Sequence, residues 1–126
     1  MKKLIYIALF SFSLVLYSCT KNEINCTMEF RTVGITVTGD SLTKFYTVRN
    51  STHDTIRISS GIGVFANVYP VLDDNYQQRM VNAQDYFTFY GFVNDSLKVK
   101  ELFEIKADYC HVSKISGKEE VNISHK

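Results

Sequence analysis

Hydrophobic and polar positions divide this chain into two unlike parts. Residues 4–17 form a 14-residue apolar stretch interrupted only by Ser11 and Ser13, preceded by Lys2 and Lys3 and followed by Ser18-Cys19. As a helix rising about 1.5 Å per residue it spans roughly 21 Å, short of the roughly 30 Å hydrocarbon core of a bilayer. A basic start, a short apolar run and a small residue at its end are the pattern of a cleaved signal peptide, here residues 1–18, rather than of a permanent membrane span. Beyond a short polar tether the pattern changes. β-Branched and aromatic residues recur in segments of five to ten, with Gly, Asp, Asn and Ser clustered between them, and no helical face emerges.

Residues 26–37 open with Met28 and Phe30 on one phase and continue with Val33, Ile35 and Val37 on the other, which predicts a bulge near residues 32–34. Thr38-Gly39-Asp40-Ser41 reads as a turn, and Lys44–Arg49 and residues 55–59 as strands. Residues 61–71 form a further extended run in which Ile62, Val64, Ala66 and Val68 alternate with Phe65 and Tyr69. Leu72-Asp73-Asp74-Asn75 reads as a loop, and residues 77–84 are the least patterned stretch, where a helical turn fits best. Residues 85–94 carry Tyr86, Phe87, Phe89, Tyr90 and Phe92, rings on both faces of one strand; Asn94-Asp95-Ser96 is a turn, and residues 97–107, 108–115 and 121–123 complete the set. Seven or eight short strands with turns about every ten residues predict an all-β fold, a single antiparallel β-sandwich over residues 26–126.

Charge narrows the function classes. With 126 residues the chain is one domain, and 14 Lys plus Arg against 13 Asp plus Glu leave no polycationic surface for nucleic acid. Disorder, collagen and a multi-span membrane protein are excluded by the same composition. Removing residues 1–18, with Lys2 and Lys3, leaves 108 residues with 12 basic and 13 acidic groups, a formal charge of −1. Leu16-Tyr17-Ser18-Cys19 resembles a bacterial lipobox: an aliphatic residue three before Cys, a small residue just before it, and the Cys itself. The resemblance implies that Cys19 takes a diacylglycerol thioether, that residues 19–25 become a lipidated tether, and that the protein lies on the cell envelope through its acyl chains. The alternative is a soluble secreted protein with Cys19 an ordinary thiol. Thr20 stands where inner-membrane lipoproteins typically carry Asp, which favours the outer membrane, facing the periplasm or the exterior.

Cys26 and Cys110 remain, an even pair in an oxidising compartment, which points to one disulfide across 84 residues, two free thiols being the alternative. Neither belongs to a C-x-x-C pair. His53, His111 and His125 fall at no metal-ligand spacing, and no nucleophile elbow, P-loop or dinucleotide fingerprint is present, so neither catalytic nor metal residues are assigned and no cofactor is expected. His111 is expected partly exposed, on the strand face opposite Cys110. Asp73-Asp74 and Glu119-Glu120 read as solvated loop charge, and Asp73, Asp74 and Asn75 lack the rest of a calcium loop. Outside the signal peptide 13 rings remain, six of them Tyr and none Trp. Most are core; Tyr86, Tyr90 and Phe92 are the candidate exposed face for a glycan, a small ligand or a protein partner.

Two further resemblances bear on the reading. The lipobox, then Val33-Gly34-Ile35-Thr36-Val37 with its Gly-Asp turn, Phe45-Tyr46-Thr47-Val48-Arg49, and Ala107-Asp108-Tyr109-Cys110-His111-Val112 with Lys114 and Ser116-Gly117, resemble small Bacteroidetes lipoproteins carrying a carboxypeptidase-regulatory-like, transthyretin-type sandwich. The resemblance implies an Ig-like or transthyretin-like domain that is accessory and noncatalytic. Asp40-Ser41-Leu42, Asp54-Thr55-Ile56 and Asp95-Ser96-Leu97 resemble the Asp, Ser or Thr, aliphatic acceptor pattern of Bacteroidetes O-glycosylation, making Ser41, Thr55 and Ser96 candidate acceptors; ordinary turn chemistry gives the same pattern. The expected function is that of a membrane-anchored interaction or accessory module, with glycan or small-ligand binding as the alternative.

Overall fold

The computed structural model describes residues 22–59 and 67–124. The signal peptide, Cys19, the start of the tether, the run at 61–66 and His125 lie outside the described residues. Eight strands and one short helix follow in order: β1 (Thr32–Thr38), β2 (Lys44–Arg49), β3 (Thr55–Ile56), β4 (Val68–Asp73), a 3-10 helix (Asp74–Arg79), β5 (Ala83–Val93), β6 (Ser96–Ala107), β7 (Val112–Ser116) and β8 (Glu120–Asn122). They make two sheets packed as a sandwich, of order β4-β1-β8 and β3-β2-β5-β6-β7.

The bulge expected near residues 32–34 of the first strand lies instead on its neighbour β4. Val33 and Gly34 pair with Leu72 and Pro70, which leaves Val71 as the extra residue, while Val33, Ile35 and Val37 alternate inward without interruption. Pro70 falls on the sheet edge beside this bulge, where a missing N–H costs no ladder bond. Residues 26–31 are not a strand: Met28 and Phe30 stand in solvent. The long β5–β6 hairpin closes at Asn94 and Asp95, with φ of 48° and 64°, the left-handed pair that a two-residue type I′ turn demands. Strand alternation then sends Phe87 and Phe89 inward and Tyr86, Tyr90 and Phe92 outward.

The core fills the space between sheets. Ile35 and Val37 of β1 and Tyr69, Val71 and Leu72 of β4 meet Phe87 and Phe89 of β5 and Val99, Phe103 and Ile105 of β6. Phe45 bridges the layers, edge-on to Tyr69 at 5.3 Å and stacked on Phe89 at 6.0 Å. Thr47, buried on the inner face of β2, satisfies its hydroxyl by donating to the Val71 carbonyl of the other sheet at 2.7 Å.

Three local expectations are corrected. Antiparallel pairing is not universal: β8 lies parallel to β1, because the chain crosses from β7 in the large sheet to the small one through residues 117–119 instead of turning back in a hairpin. The loop expected at residues 72–75 is the end of β4 followed directly by the 3-10 helix. Asp73 starts that helix by accepting the Asn75 N–H at 3.0 Å, so the helical turn sits at 74–79 rather than within 77–84. The strand expected over 55–59 pairs only at Thr55 and Ile56.

Candidate binding face

The outer face of the large sheet is where the chain departs most from an ordinary polar surface. β2 and β5 pair antiparallel with Tyr46 opposite Tyr90 and Lys44 opposite Phe92, while β5 and β6 place Tyr90 opposite Lys100. Period-two alternation therefore lines these side chains up across the strands on one face. Tyr46 stacks on Tyr90 with ring centres 5.2 Å apart and on Phe92 at 5.8 Å. Cations close the row. Arg57 lies over Tyr46 at 5.9 Å, Lys100 over Tyr90 at 5.8 Å and Lys44 over Phe92 at 5.6 Å. The three half-buried rings thus stack on one another with cations against them, and the row presents aromatic and positively charged groups together.

Two of the three rings expected on this face, Tyr90 and Phe92, are brought together. Tyr86 is on the same face, 48 % exposed and without a ring contact among the described residues, toward the other end of β5. Tyr46, the ring that joins the stack, was not singled out by sequence; its position opposite Tyr90 follows only from the strand pairing. Lys44, Arg57 and Lys100 make no ion pair among the described residues, whereas Arg49, Lys114 and Lys118 pair with Asp85, Glu119 and Glu101. Asp85, which also accepts from the Ser51 hydroxyl, is held below the usual carboxylate range: burial pushes it up, but Ser51, Arg49 and the Tyr86 N–H outweigh that.

A second polar centre sits at the opposite end of the domain. Cys26 and Cys110 are disulfide-bonded, with Cα atoms 5.4 Å apart. Beside the bond, the His111 ring reaches Asp74 Oδ2 from Nδ1 at 2.7 Å and Thr27 Oγ1 from Nε2 at 2.9 Å. An ionised carboxylate only accepts, so Nδ1 carries a proton toward Asp74, and with the ring neutral Nε2 accepts from the Thr27 hydroxyl. Asp74 also takes the Arg31 N–H at 2.7 Å and the Val112 N–H at 2.8 Å. Burial raises its pKa, and the Arg31 N–H, the His111 ring and the Val112 N–H together bring it below the usual carboxylate range.

This centre corrects two expectations. Asp74 is not solvated loop charge, since its side chain is 9 % exposed, and His111 is buried rather than half-out on a strand face. Strand alternation does not govern His111, because it lies just before β7 in a turn where Asp108 accepts the N–H groups of Cys110 and His111, both at 2.7 Å. Thr27, His111 and Asp74 reproduce the hydroxyl, imidazole and carboxylate order of a hydrolytic triad. What distinguishes the arrangement is that every member also fastens the segment at 26–31 to the sandwich. The grooves of about 540 Å³ at residues 55–59 and 73–79 and about 470 Å³ between residues 29–34 and 112–114 are lined by neither Thr27 nor His111.

Ser41, Thr55 and Ser96 are all exposed, respectively in the β1–β2 loop, at the start of β3 and just after the β5–β6 turn. Among the described residues no three of His, Cys, Asp and Glu gather as metal ligands, and no helix is long and apolar enough to cross a membrane. No protein-family model, curated protein or solved structure matches this chain.

Proposed function

We propose that the chain is a lipid-anchored, noncatalytic envelope protein that works as an interaction or accessory module, with the outer face of its large sheet as the recognition surface. The signal peptide, the lipobox at Cys19 and placement among small Bacteroidetes lipoproteins of the outer membrane belong to this proposal and rest on the sequence motifs. The observation that carries the binding role is the row Arg57, Tyr46, Tyr90, Lys100 with Phe92 and Lys44 beside it. Half-buried rings give desolvated contact area, and three cations without carboxylate partners among the described residues select an anionic ligand or partner. Acidic glycans and acidic protein surfaces both carry that chemistry.

A photo-crosslinking residue at Tyr90 in native cells is the test: capture of a discrete envelope component, abolished by Tyr46→Ala with Lys100→Glu, supports the reading. Equal capture from a position on β7 refutes it. Chemical-shift changes at residues 86–92 on adding an anionic oligosaccharide, absent with a neutral one, favour the glycan form. The triad-like order of Thr27, His111 and Asp74 favours a hydrolase as the second reading. Ester turnover lost in Thr27→Ala would establish it; equal background rates in both proteins leave the centre as a clamp. Labelled palmitate in growing cells tests Cys19, and intact mass tests Ser41, Thr55 and Ser96, a mass of peptide plus lipid alone removing the glycans.

A further inference from the structure

Around the disulfide end of the domain the surface carries side chains that folding leaves without apolar partners. Met28 is fully exposed, Ile24 is 56 %, Tyr109 55 % and Phe30 50 % exposed. Single exposed apolar residues are ordinary, but these four fall within one short segment and the residue next to Cys110, and the disulfide joins the two stretches. The segment is not loose. Cys26 is bonded to Cys110, Thr27 to His111, and the Arg31 N–H to Asp74, which fixes the side that faces the sandwich and leaves Met28 and Phe30 facing away. The charges nearby are the ion pair of Arg31 with Glu29 at 3.3 Å, Asp108 beside Tyr109 and Glu23 beside Ile24.

We propose that Ile24, Met28, Phe30 and Tyr109 form a rim that enters the interfacial layer of the bilayer carrying the anchor. The proposal rests on the lipid-anchor reading above. Covalent reach decides the occupant: Cys19 and Cys26 are seven residues apart, which even fully extended spans at most about 25 Å. The disulfide end of the domain is therefore confined near the lipid surface, and its apolar rim is the part of the described structure tied closest to it. An aromatic ring with a polar tip, a second ring and two flexible aliphatic chains are the side chains that settle at headgroup depth. The same geometry orients the domain. β6 runs from Ser96 to Ala107, eleven steps of about 3.3 Å each, so the β5–β6 hairpin lies about 36 Å from the disulfide end, and the row around Tyr46, Tyr90 and Phe92 sits in that distal half.

The chain has no Trp, so single Trp reporters are unambiguous. All eight strands, the core and the disulfide lie within residues 22–124, so residues 19–126, oxidised, keep the described fold and have Cys19 as the one free thiol. This protein is coupled through Cys19 to maleimide-lipid in phosphatidylcholine vesicles, with and without brominated acyl chains. Met28→Trp and Phe30→Trp should lose about half their emission to the brominated lipid, and Leu97→Trp at the far hairpin should lose none. Ile24→Ser with Tyr109→Ser on the Phe30→Trp background should reduce that quenching. Emission at 28 and 30 quenched by aqueous iodide and untouched by bromine overturns the proposal, as does shielding from both quenchers, which would place a second copy of the chain on the rim. Failure of palmitate labelling in cells removes the anchor itself, a result distinguishable from an unquenched rim on chemically coupled protein.

Discussion

Asp74 is the residue whose removal tests the structure most sharply. Its carboxylate accepts from the Arg31 N–H, the His111 ring and the Val112 N–H at 2.7, 2.7 and 2.8 Å with 9 % of its side chain exposed. In Asp74→Ala the Arg31 N–H lies in an exposed position and finds water. The other two donors are partly buried, and a hydrogen bond to a charged group is worth about 1.5–3 kcal/mol, so the expected loss is about 3 kcal/mol. With a urea dependence of about 1–3 kcal/mol per molar, the unfolding midpoint of the oxidised protein at pH 7 should fall by about 1–3 M. Asp74→Asn retains an acceptor but no charge and should fall between variant and wild type. The pH profile carries the sign. A carboxylate whose folded pKa is depressed contributes stability that is complete above its unfolded pKa of about 3.9 and disappears as pH falls through the folded value. The gap between wild type and Asp74→Ala should thus be constant at neutral pH and close in acid, below about pH 4. In a double-mutant cycle Asp74→Ala and His111→Ala should couple by more than about 0.5 kcal/mol. A midpoint unchanged at neutral pH, or strictly additive losses, would refute the clamp.

Replacing both Cys26 and Cys110 by Ser opens a loop of 84 residues and should cost about 4–5 kcal/mol by chain entropy, read in denaturant unfolding. Gly117→Ala should destabilise by about 2–3 kcal/mol, since the residue holds φ at +132° and a Cβ there would fall 2.3 Å from Cδ1 of fully buried Phe103; a melting temperature within 2 °C of wild type would contradict the packing. Tyr46→Ala removes two ring stacks and an arginine contact, for an expected loss of about 2 kcal/mol and a reduced near-ultraviolet dichroism, whereas Tyr86→Ala should cost well under about 1 kcal/mol.

What could be read before folding was whatever is local. β2 begins and ends where its alternation does, and the β5–β6 turn lies on Asn94-Asp95, residues that tolerate the left-handed region. Cysteine arithmetic paired Cys26 with Cys110 because only two thiols were left to pair. What could not be read depends on partners far apart in sequence. Tyr46 joins Tyr90 through a register 44 residues long, and Asp74, His111 and Thr27 converge from three segments with no spacing signature. His111 departs from strand alternation for a physical reason: its backbone is held in an Asp108 turn. The signal was present, an Asp two and three residues ahead of the amides it accepts, the arrangement by which short polar side chains set a turn.

The segment at 22–31 contributes no strand and little core, yet the fold attaches it at Cys26, Thr27 and Arg31. A flexible tether would let an anchored domain tumble over every orientation above a bilayer. Three fixed points within six residues instead leave only the chain before Cys26 to bend, so the direction in which the tether leaves the domain is set by the sandwich. That direction starts at the disulfide end, opposite the hairpin that carries Phe92 and the distal part of the cation-edged row. The expensive features of this small domain, a long-loop disulfide and a buried carboxylate with its histidine, are both spent on this attachment. With the domain anchored as proposed, cutting the disulfide should loosen its orientation before it unfolds the sheets, because the packing of Phe45, Phe87, Phe89 and Phe103 lies within the two layers and includes no residue of 22–31. Hydrogen exchange on vesicle-coupled protein before and after mild reduction reads this directly, with β5 and β6 amides still protected while amides at 26–31 and 108–112 exchange; simultaneous loss of protection in all of them would show that the attachment and the core are one cooperative unit.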